Sequence, residues 1–300
     1  MKKVFVTGIS GCVGHYLFDE LSKNTDYQLY CLVRDPQKLK FNPGQAHLIQ
    51  DDLKNIGRQA DIIKQMDYVI HLAAEWGGHE GNLDYTLELF KLLDPAQCQK
   101  VVYFSTASIL GTDNHPVPEA ETLGTHYIRG KYQMFKKIPE LKIYPNVVTL
   151  FPSWVLGGDK THPYSHAASG ILTLRRWLWL IRYITVDASF HFIHAKDLAR
   201  IAAHLLVNNP AGKEFVLGNA PITASAFLRE VCSFYGQKVS WQIPISLTLV
   251  KTLAAITGRR LHPWDIYCLE KRHFIYQAAN AETFGLKSGL TTVKEVLETL

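Results

Sequence analysis

Residues Thr7-Gly8-Ile9-Ser10-Gly11-Cys12-Val13-Gly14 directly follow the apolar run Val4-Phe5-Val6 and open a helical pattern that continues to about Ser22. Few sequence features limit a fold as strongly as a glycine loop between a strand and a helix. Glycines permit a tight turn and let backbone N–H groups approach a phosphate. The helix that follows turns its partial positive charge toward the same point. Gly14 lets that helix pack hard against the sheet. The loop therefore predicts a parallel sheet with a diphosphate held at Gly8, Ser10, Gly11, Cys12, Val13 and Gly14.

The next stretches continue the alternation. Strands are predicted over Tyr27–Val33, Ala46–Ile49, Tyr68–Leu72 and Val101–Ser105. Helices are predicted over Leu53–Gln65 and Asn82–Leu93. Near-continuous apolar strands alternating with helices mean a sheet covered on both faces. After Pro152 the pattern loosens: a Trp- and Leu-rich helix over Arg175–Arg182, a short strand Phe190–Ile193, a helix Lys196–Leu206, the strand Phe215–Leu217 and a helix begun by Thr223. The fold class expected is α/β, a Rossmann-like doubly wound parallel sheet with a smaller, mostly helical substrate-binding cap. Residues 1–155, with 186–208 returning to them, form the predicted dinucleotide-binding domain, and 156–185 with 209–300 form the cap.

Charge and cysteine usage exclude several classes. The chain carries a formal net charge of +5, with lysines and arginines scattered rather than striped, so no nucleic-acid partner is expected. Cys12, Cys31, Cys98, Cys232 and Cys268 are odd in number and never form a C-x-x-C pair, which favours a reducing, cytoplasmic setting over a disulfide framework or a zinc site. His162 and His166 stand four apart, but Pro163 interrupts the helix and no third ligand is near, so no metal is expected. The apolar stretches Ile171–Ile184 and Ile243–Thr257 carry internal Arg or Lys and are too short for a transmembrane helix. The first is read as a roof over the substrate pocket with solvated arginines; an anionic-substrate clamp or a membrane-surface contact is the alternative.

The second strand ends in Val33-Arg34-Asp35. A carboxylate at such a tip usually accepts the ribose hydroxyls, whereas a guanidinium pairs with a 2′-phosphate. Arg34 thus predicts NADP(H) over NAD(H); the alternative is a solvated Arg34 with Asp35 on the ribose. Tyr127 and Lys131 lie at i and i+4, on one face of a helix. A phenol of ordinary pKa ~10 works as an acid-base group near neutral pH only beside a cation. The pair therefore reads as a proton-transfer site.

The G-x-x-G-x-x-G spacing after Thr7, the hydroxyl run Ser105-Thr106-Ala107-Ser108 about 20 residues before the Tyr-x-x-x-Lys, His71-Leu72-Ala73-Ala74, Pro152-Ser153-Trp154-Val155-Leu156-Gly157 and Phe192-Ile193-His194-Ala195-Lys196-Asp197 together resemble the extended short-chain dehydrogenase/reductase family. That family includes epimerases, dehydratases, dihydroflavonol reductases and 3β-hydroxysteroid dehydrogenases. The resemblance implies Thr106, Tyr127 and Lys131 as catalytic residues, with Ser105 the nearest rival to Thr106 for the hydroxyl position. It places Asp52 and Leu53 beside the adenine, and Leu72, Ala73, Ala74, Pro152 and Val155 along the cofactor. Asn82 is a looser match, and Phe151 stands where the family carries an arginine. The resemblance implies hydride transfer to or from a carbonyl or hydroxyl carbon of a small molecule. The apolar cap leans toward a hydrophobic or aromatic substrate. A nucleotide-sugar epimerase or dehydratase is the first alternative and a non-catalytic NADP-binding sensor or assembly factor the second. Homodimers are frequent in the family and are allowed for here.

Overall fold

In β1 (Lys2–Thr7), side-chain alternation sends Val4 and Val6 to one face of the sheet and Phe5 to the other, and all three are fully buried. A strand buried on both faces is the hallmark of a sheet with helices on each side. The computed structural model describes residues 1–75, 77–78, 80–246, 248–249 and 261–300. Strands β2 (Tyr27–Val33), β3 (His47–Gln50), β4 (Tyr68–His71), β5 (Lys100–Phe104) and β6 (Val147–Pro152) join β1 in one sheet. With the edge strand Glu214–Leu217 the sheet has seven strands, ordered Glu214–Leu217, β6, β5, β4, β1, β2, β3, and every pairing is parallel.

Helices Cys12–Leu21 and Ala195–Val207 cover one face, packing Leu17, Leu21, Leu198, Ile201 and Leu205 against Val4, Val6 and Ile70. On the other face, helices Asp84–Leu92 and His126–Lys137 bring Leu89, Phe90 and Met134 onto Phe5, Val69 and Val101. Full burial of each such side chain contributes roughly 1.5–3 kcal/mol relative to exposure. The chain winds outward from β1 to β3, then returns to β4 on the opposite side of β1. The carboxyl ends of β1 and β4 therefore form the switch point, where open α/β sheets bind their ligands.

A buried hydrogen-bond chain fixes that point. Ala73 N–H donates to Thr7 Oγ1 (3.3 Å), which lies 2.7 Å from His71 Nδ1. His71 Nε2 lies 3.0 Å from Thr86 Oγ1, whose hydroxyl donates to the Gly81 carbonyl (3.0 Å). Because the Thr86 proton goes to Gly81, His71 must donate from Nε2 and accept at Nδ1 from Thr7. Burial holds the His71 imidazole well below its usual pKa, with the Lys131 charge adding to the effect, so the ring is neutral and that single tautomer serves.

Four expectations need correction. The stretch read as a helix over Leu53–Gln65 is a 3-10 segment Leu53–Gln59, kinked at Asn55, followed by one α turn Ala60–Ile63. Asp51 and Asp52 side chains hold its start through Asn55 Nδ2 and Lys54 N. The cap helix begins at His166 and runs to Leu174, after Ser165 caps it, while Arg175–Ile181 breaks into a 3-10 turn and a short α turn. Its arginines are not simply solvated: Arg175 sits over the Tyr235 ring at 4.6 Å, and Arg182 donates to Gln237 Oε1 and the Lys238 carbonyl. The Phe190–Ile193 strand is two strands parted at His191: Ser189–Phe190 pairs with Ile222–Thr223, and Phe192–His194 with Trp154–Leu156.

The fourth correction concerns the boundary drawn at 208. Glu214–Leu217 is hydrogen-bonded to β6, and Ala279 bridges Leu217, so parts of the stretch assigned to the cap belong to the main sheet. Ile243–Thr257, the second apolar stretch, lies largely outside the described residues. Among the described residues no helix is long and apolar enough to cross a membrane.

Thr86→Val keeps the side chain's shape but leaves the buried His71 Nε2–H without its acceptor. Stability should fall by about 1–3 kcal/mol, the cost of one unsatisfied buried donor. Urea unfolding measures it, and an unchanged midpoint would contradict the assigned tautomer.

Candidate active site

The glycine loop contains glycines of two kinds. Gly8 has φ +77°, and a Cβ there would lie 2.6 Å from the Ala73 nitrogen and 2.8 Å from the Leu72 carbonyl carbon. A Cβ on Gly14 would meet the Gly8 oxygen at 2.4 Å and the Ile9 oxygen at 2.5 Å. Both glycines are required for the backbone to close. Gly11 is different, with an ordinary φ of −82° and its nearest contact, the Gly8 oxygen, at 3.4 Å. A side chain at Gly11 would fit the fold but would stand over the helix start. Among the described residues no side chain caps that start, Cys12–Leu21, whereas Thr125, Ser165, Thr223 and Thr292 each cap the helix that follows them. The N–H groups beside Ser10, Cys12 and Val13 thus lack a side-chain cap at the end where the helix dipole favours an anion.

One positioning group here is invisible to motif reading. His15 accepts at Nε2 from Lys40 N–H (3.1 Å), so it donates from Nδ1 to the Gly11 carbonyl at 2.9 Å. It pins the middle glycine from inside the helix, and burial lowers its pKa, keeping it neutral.

At the tip of β2, Arg34 extends into solvent with its side chain 74% exposed, and its Nη1 lies 3.8 Å from Asp52 Oδ2. Asp35 is occupied in capping Gln37 N, and Asp52 in capping Lys54 N. Asp51, replacing a glycine of the family pattern, bonds Asn55 and Gln59 in a local structural role. Leu53 packs against the core face that holds Phe5. Leu72, Ala73 and Ala74 follow β4 directly, facing the glycine loop through the Gly8 contact. Asn82 is buried and tied to the Glu75 and Gly78 carbonyls.

Thr106, Tyr127 and Lys131 come together at the carboxyl end of β5. Thr125 caps the helix His126–Lys137, which sets Tyr127 in its first turn and Lys131 one turn later. Burial pushes the Tyr127 phenol up to about 12, and a hydrogen bond with Thr106 works against that rise. The Thr106 hydroxyl also reaches Ser108 Oγ at 3.2 Å. Lys131 is 1% exposed, donates from Nζ to the Phe104 carbonyl at 2.8 Å, and lies 4.9 Å from the Tyr103 ring centroid. Burial lowers its ammonium to about 7. The sequence pairs this lysine with the phenol, but here its bond goes to the end of β5, and the phenol is governed by burial and by Thr106.

Pro152 ends β6 beside this cluster, and Val155 lies in the adjoining short strand. Ser153 Oγ, between them, is buried with no partner among the described residues. Phe151, where the family has an arginine, is buried against Phe135. Trp154 packs on Phe190 and Phe227, with ring centroids 5.1 and 5.4 Å away.

A family model described as NAD dependent epimerase/dehydratase family matches residues 4–218. A curated relative, the sterol-4-alpha-carboxylate 3-dehydrogenase, decarboxylating, of Dictyostelium discoideum, is 29% identical over 144 residues. That match spans 41% of this chain and 44% of the relative. Among solved structures, the Thermotoga maritima UDP-glucose 4-epimerase with UDP-glucose superposes with a TM-score of 0.69 at 16% identity, covering 99% of this chain and 97% of that one. The Bordetella bronchiseptica enzyme WbmG with NAD and UDP gives 0.70 at 14% identity, covering 99% and 93%. At such identities these two show a shared fold.

The buried ammonium makes a stability prediction. Lys131 is charged in the unfolded chain up to about the ordinary lysine value of 10.5, but in the folded chain only below about 7. The cost of burying it is therefore complete below pH 7 and disappears as pH rises toward 10.5. Lys131→Met should stabilise the ligand-free protein by roughly 1–3 kcal/mol at neutral pH, with the gain shrinking in alkali. Denaturant unfolding at several pH values checks this, and destabilisation at pH 7 would count against it.

Proposed function

Since the chain belongs to the NAD dependent epimerase/dehydratase family and is a nicotinamide-dinucleotide-dependent enzyme of the extended short-chain dehydrogenase/reductase type, we propose that it moves a hydride to or from a carbonyl or hydroxyl carbon of a small molecule at a Thr106–Tyr127–Lys131 site. The observation that carries this reading is a lysine 1% exposed, one helical turn from a phenol that faces a threonine hydroxyl. Burying an ammonium without a carboxylate costs several kcal/mol, and such perturbed groups cluster at functional sites.

The bare helix start and the glycines fit a dinucleotide diphosphate. Gly8, Ser10, Gly11, Cys12, Val13 and Gly14 hold it, with Asp52, Leu53, Leu72, Ala73 and Ala74 toward the adenine side and Pro152 and Val155 toward the nicotinamide. The orphaned Ser153 hydroxyl is suited to a polar ligand atom at that end. When bound, the nicotinamide supplies or accepts the hydride. Thr106 and Tyr127 hold the substrate oxygen, and Tyr127 gives it a proton in reduction or takes one in oxidation. Beside an anionic ligand Lys131 keeps its proton, and that charge favours the phenolate of Tyr127.

The preferred cofactor is NADP(H). Arg34 supports this because its guanidinium is exposed and, among the described residues, held by a 3.8 Å contact to Asp52, so it can turn to a 2′-phosphate. The aromatic wall of Trp154, Phe190 and Phe227 next to Pro152 supports a hydrophobic or aromatic substrate, as does the sterol named for the Dictyostelium relative. A nucleotide-sugar epimerase or dehydratase is the second reading, favoured by the sugar-nucleotide enzymes that share the fold. Net NADPH oxidation during turnover separates the two. A cytoplasmic homodimer is the proposed setting.

Tyr127→Phe should lower kcat by at least 10²-fold, the usual size of a lost general acid or base. Its NADPH affinity should remain within about twofold, and full activity of the variant would refute the assignment. Arg34→Ala should weaken NADPH by roughly tenfold or more while leaving NADH little changed, the loss of a charge-assisted pair. Equal losses for both cofactors would remove the case for NADP(H).

A further inference from the structure

His162 lies in the loop 157–165, outside the residues assigned above, yet both of its ring nitrogens meet carboxylates. Nδ1 lies 2.8 Å from Asp159 Oδ2 and Nε2 lies 2.8 Å from Asp19 Oδ2. Asp19 belongs to the helix that the glycine loop opens, so the histidine joins the loop to that helix. The imidazole also stacks on Tyr16, with centroids 3.8 Å apart and planes within 4°. Tyr16 completes the fastening: its hydroxyl donates to Asp159 (3.3 Å) and accepts from Gly158 N–H (3.3 Å). The same loop presents the Ser165 backbone to Cys12, whose thiol is raised by burial and then by the nearby Asp159 charge. Cys12 is the first residue of the uncapped helix start.

We propose that His162 is a positioning residue for the dinucleotide, a protonated bridge that holds the loop 157–165 on the cofactor helix and neutralises carboxylates beside the diphosphate site. A carboxylate accepts and cannot donate, so filling both contacts requires N–H on both ring nitrogens. The charged ring leaves the Asp19–His162–Asp159 set with one net negative charge. The neutral ring leaves it with two and turns a lone pair toward one of the carboxylates. Loss of the proton therefore releases the loop and adds repulsion toward a ligand phosphate.

The titratable groups beside His162 include His15 and Tyr16 on the cofactor helix and His194, which caps Ala195–Val207 and has the Lys196 charge next to it. Burial lowers His194 to about 4 and lowers His15 as well, while it raises the Tyr16 phenol. Lys131, at about 7, titrates within the pH span of the test, so a variant must separate its share.

The inference rests on the diphosphate reading of the glycine loop. Its test is NADH binding by fluorescence between about pH 6 and about pH 9, a span that covers the ordinary histidine range. NADH lacks the 2′-phosphate, whose own titration would interfere. At pH 6, His162→Gln should raise the NADH Kd by about three- to tenfold, the size of a unit charge acting at solvent-screened range. At pH 9 the gap from wild type should close to within about twofold, leaving the Lys131 contribution in both proteins. Adding Asp19→Asn to His162→Gln should recover most of the loss at pH 6, which a purely structural role for the ring would not produce. Identical pH profiles for wild type and His162→Gln, or no recovery from Asp19→Asn, would overturn the inference while leaving the proposed function standing. Absence of NADH and NADPH binding by the wild type would overturn both.

Discussion

The carboxyl ends of β1 and β4 approach so closely that one methyl group on Gly8 would strike the Ala73 nitrogen. Everything at the switch point depends on that approach. It lets Thr7 accept from Ala73 N–H and donate to His71 while the strands keep their parallel register, Thr7 opposite His71. His71 then carries the fixed spacing across to Thr86, and so to the helix Asp84–Leu92 on the other face. One absent side chain and one neutral imidazole thus set the distance between the glycine loop and the residues after β4, the two backbone walls between which a dinucleotide would lie.

On the far side of the sheet the constraint is electrostatic rather than steric. Lys131 projects from the helix His126–Lys137 into the interior and ends on the Phe104 carbonyl at 2.8 Å. The ring of Tyr103 beneath it and the nearby His71 bracket its position. Its charge lowers the His71 pKa further, which reinforces the neutral tautomer that the strand contact needs. The ammonium and the switch-point hydrogen bonds are therefore coupled: the same burial that weakens the lysine as a cation keeps the histidine a reliable neutral bridge. An anionic ligand would restore the lysine's proton without disturbing His71, because that ring has no pair of acceptors to stabilise a second N–H.

The parts legible from sequence were those whose chemistry is local. Gly14 is read from spacing because its need is a backbone contact with Gly8 and Ile9 a few residues away. Gly8 shares that spacing, although the contact that requires it is with Leu72 and Ala73 beyond β4. Tyr127 and Lys131 are read because a helix brings i and i+4 together whatever surrounds it. The strand Tyr27–Val33 is read because its burial shows in its own residues. The edge strand Glu214–Leu217 was assigned to the wrong unit because strand order is decided by the partner, β6, which lies more than 60 residues earlier. Likewise Arg175–Arg182 has a helical pattern, but the sequence does not show that Arg175 and Arg182 are drawn toward Tyr235, Gln237 and Lys238 across a gap of more than 50 residues. The family assignment and the fold survive such errors because the glycine loop alone selects the sheet type.

Histidine shows most clearly where sequence reading stops. His15, His71 and His162 are the same side chain, and what faces their two ring nitrogens gives each a different state. His15 meets an amide N–H and a carbonyl, one donor and one acceptor, and so is complete as a neutral ring. His71 meets two hydroxyls, one that gives its proton to the ring and one that accepts from it, and is again complete when neutral. His162 meets two carboxylates, which can only accept, and is complete only with a second proton. The two neutral rings hold the backbone at the glycine loop and at the switch point. The third fastens the loop above it to the helix Cys12–Leu21 through two carboxylates, and this follows from partners at positions 19 and 159 that no local pattern around residue 162 reveals.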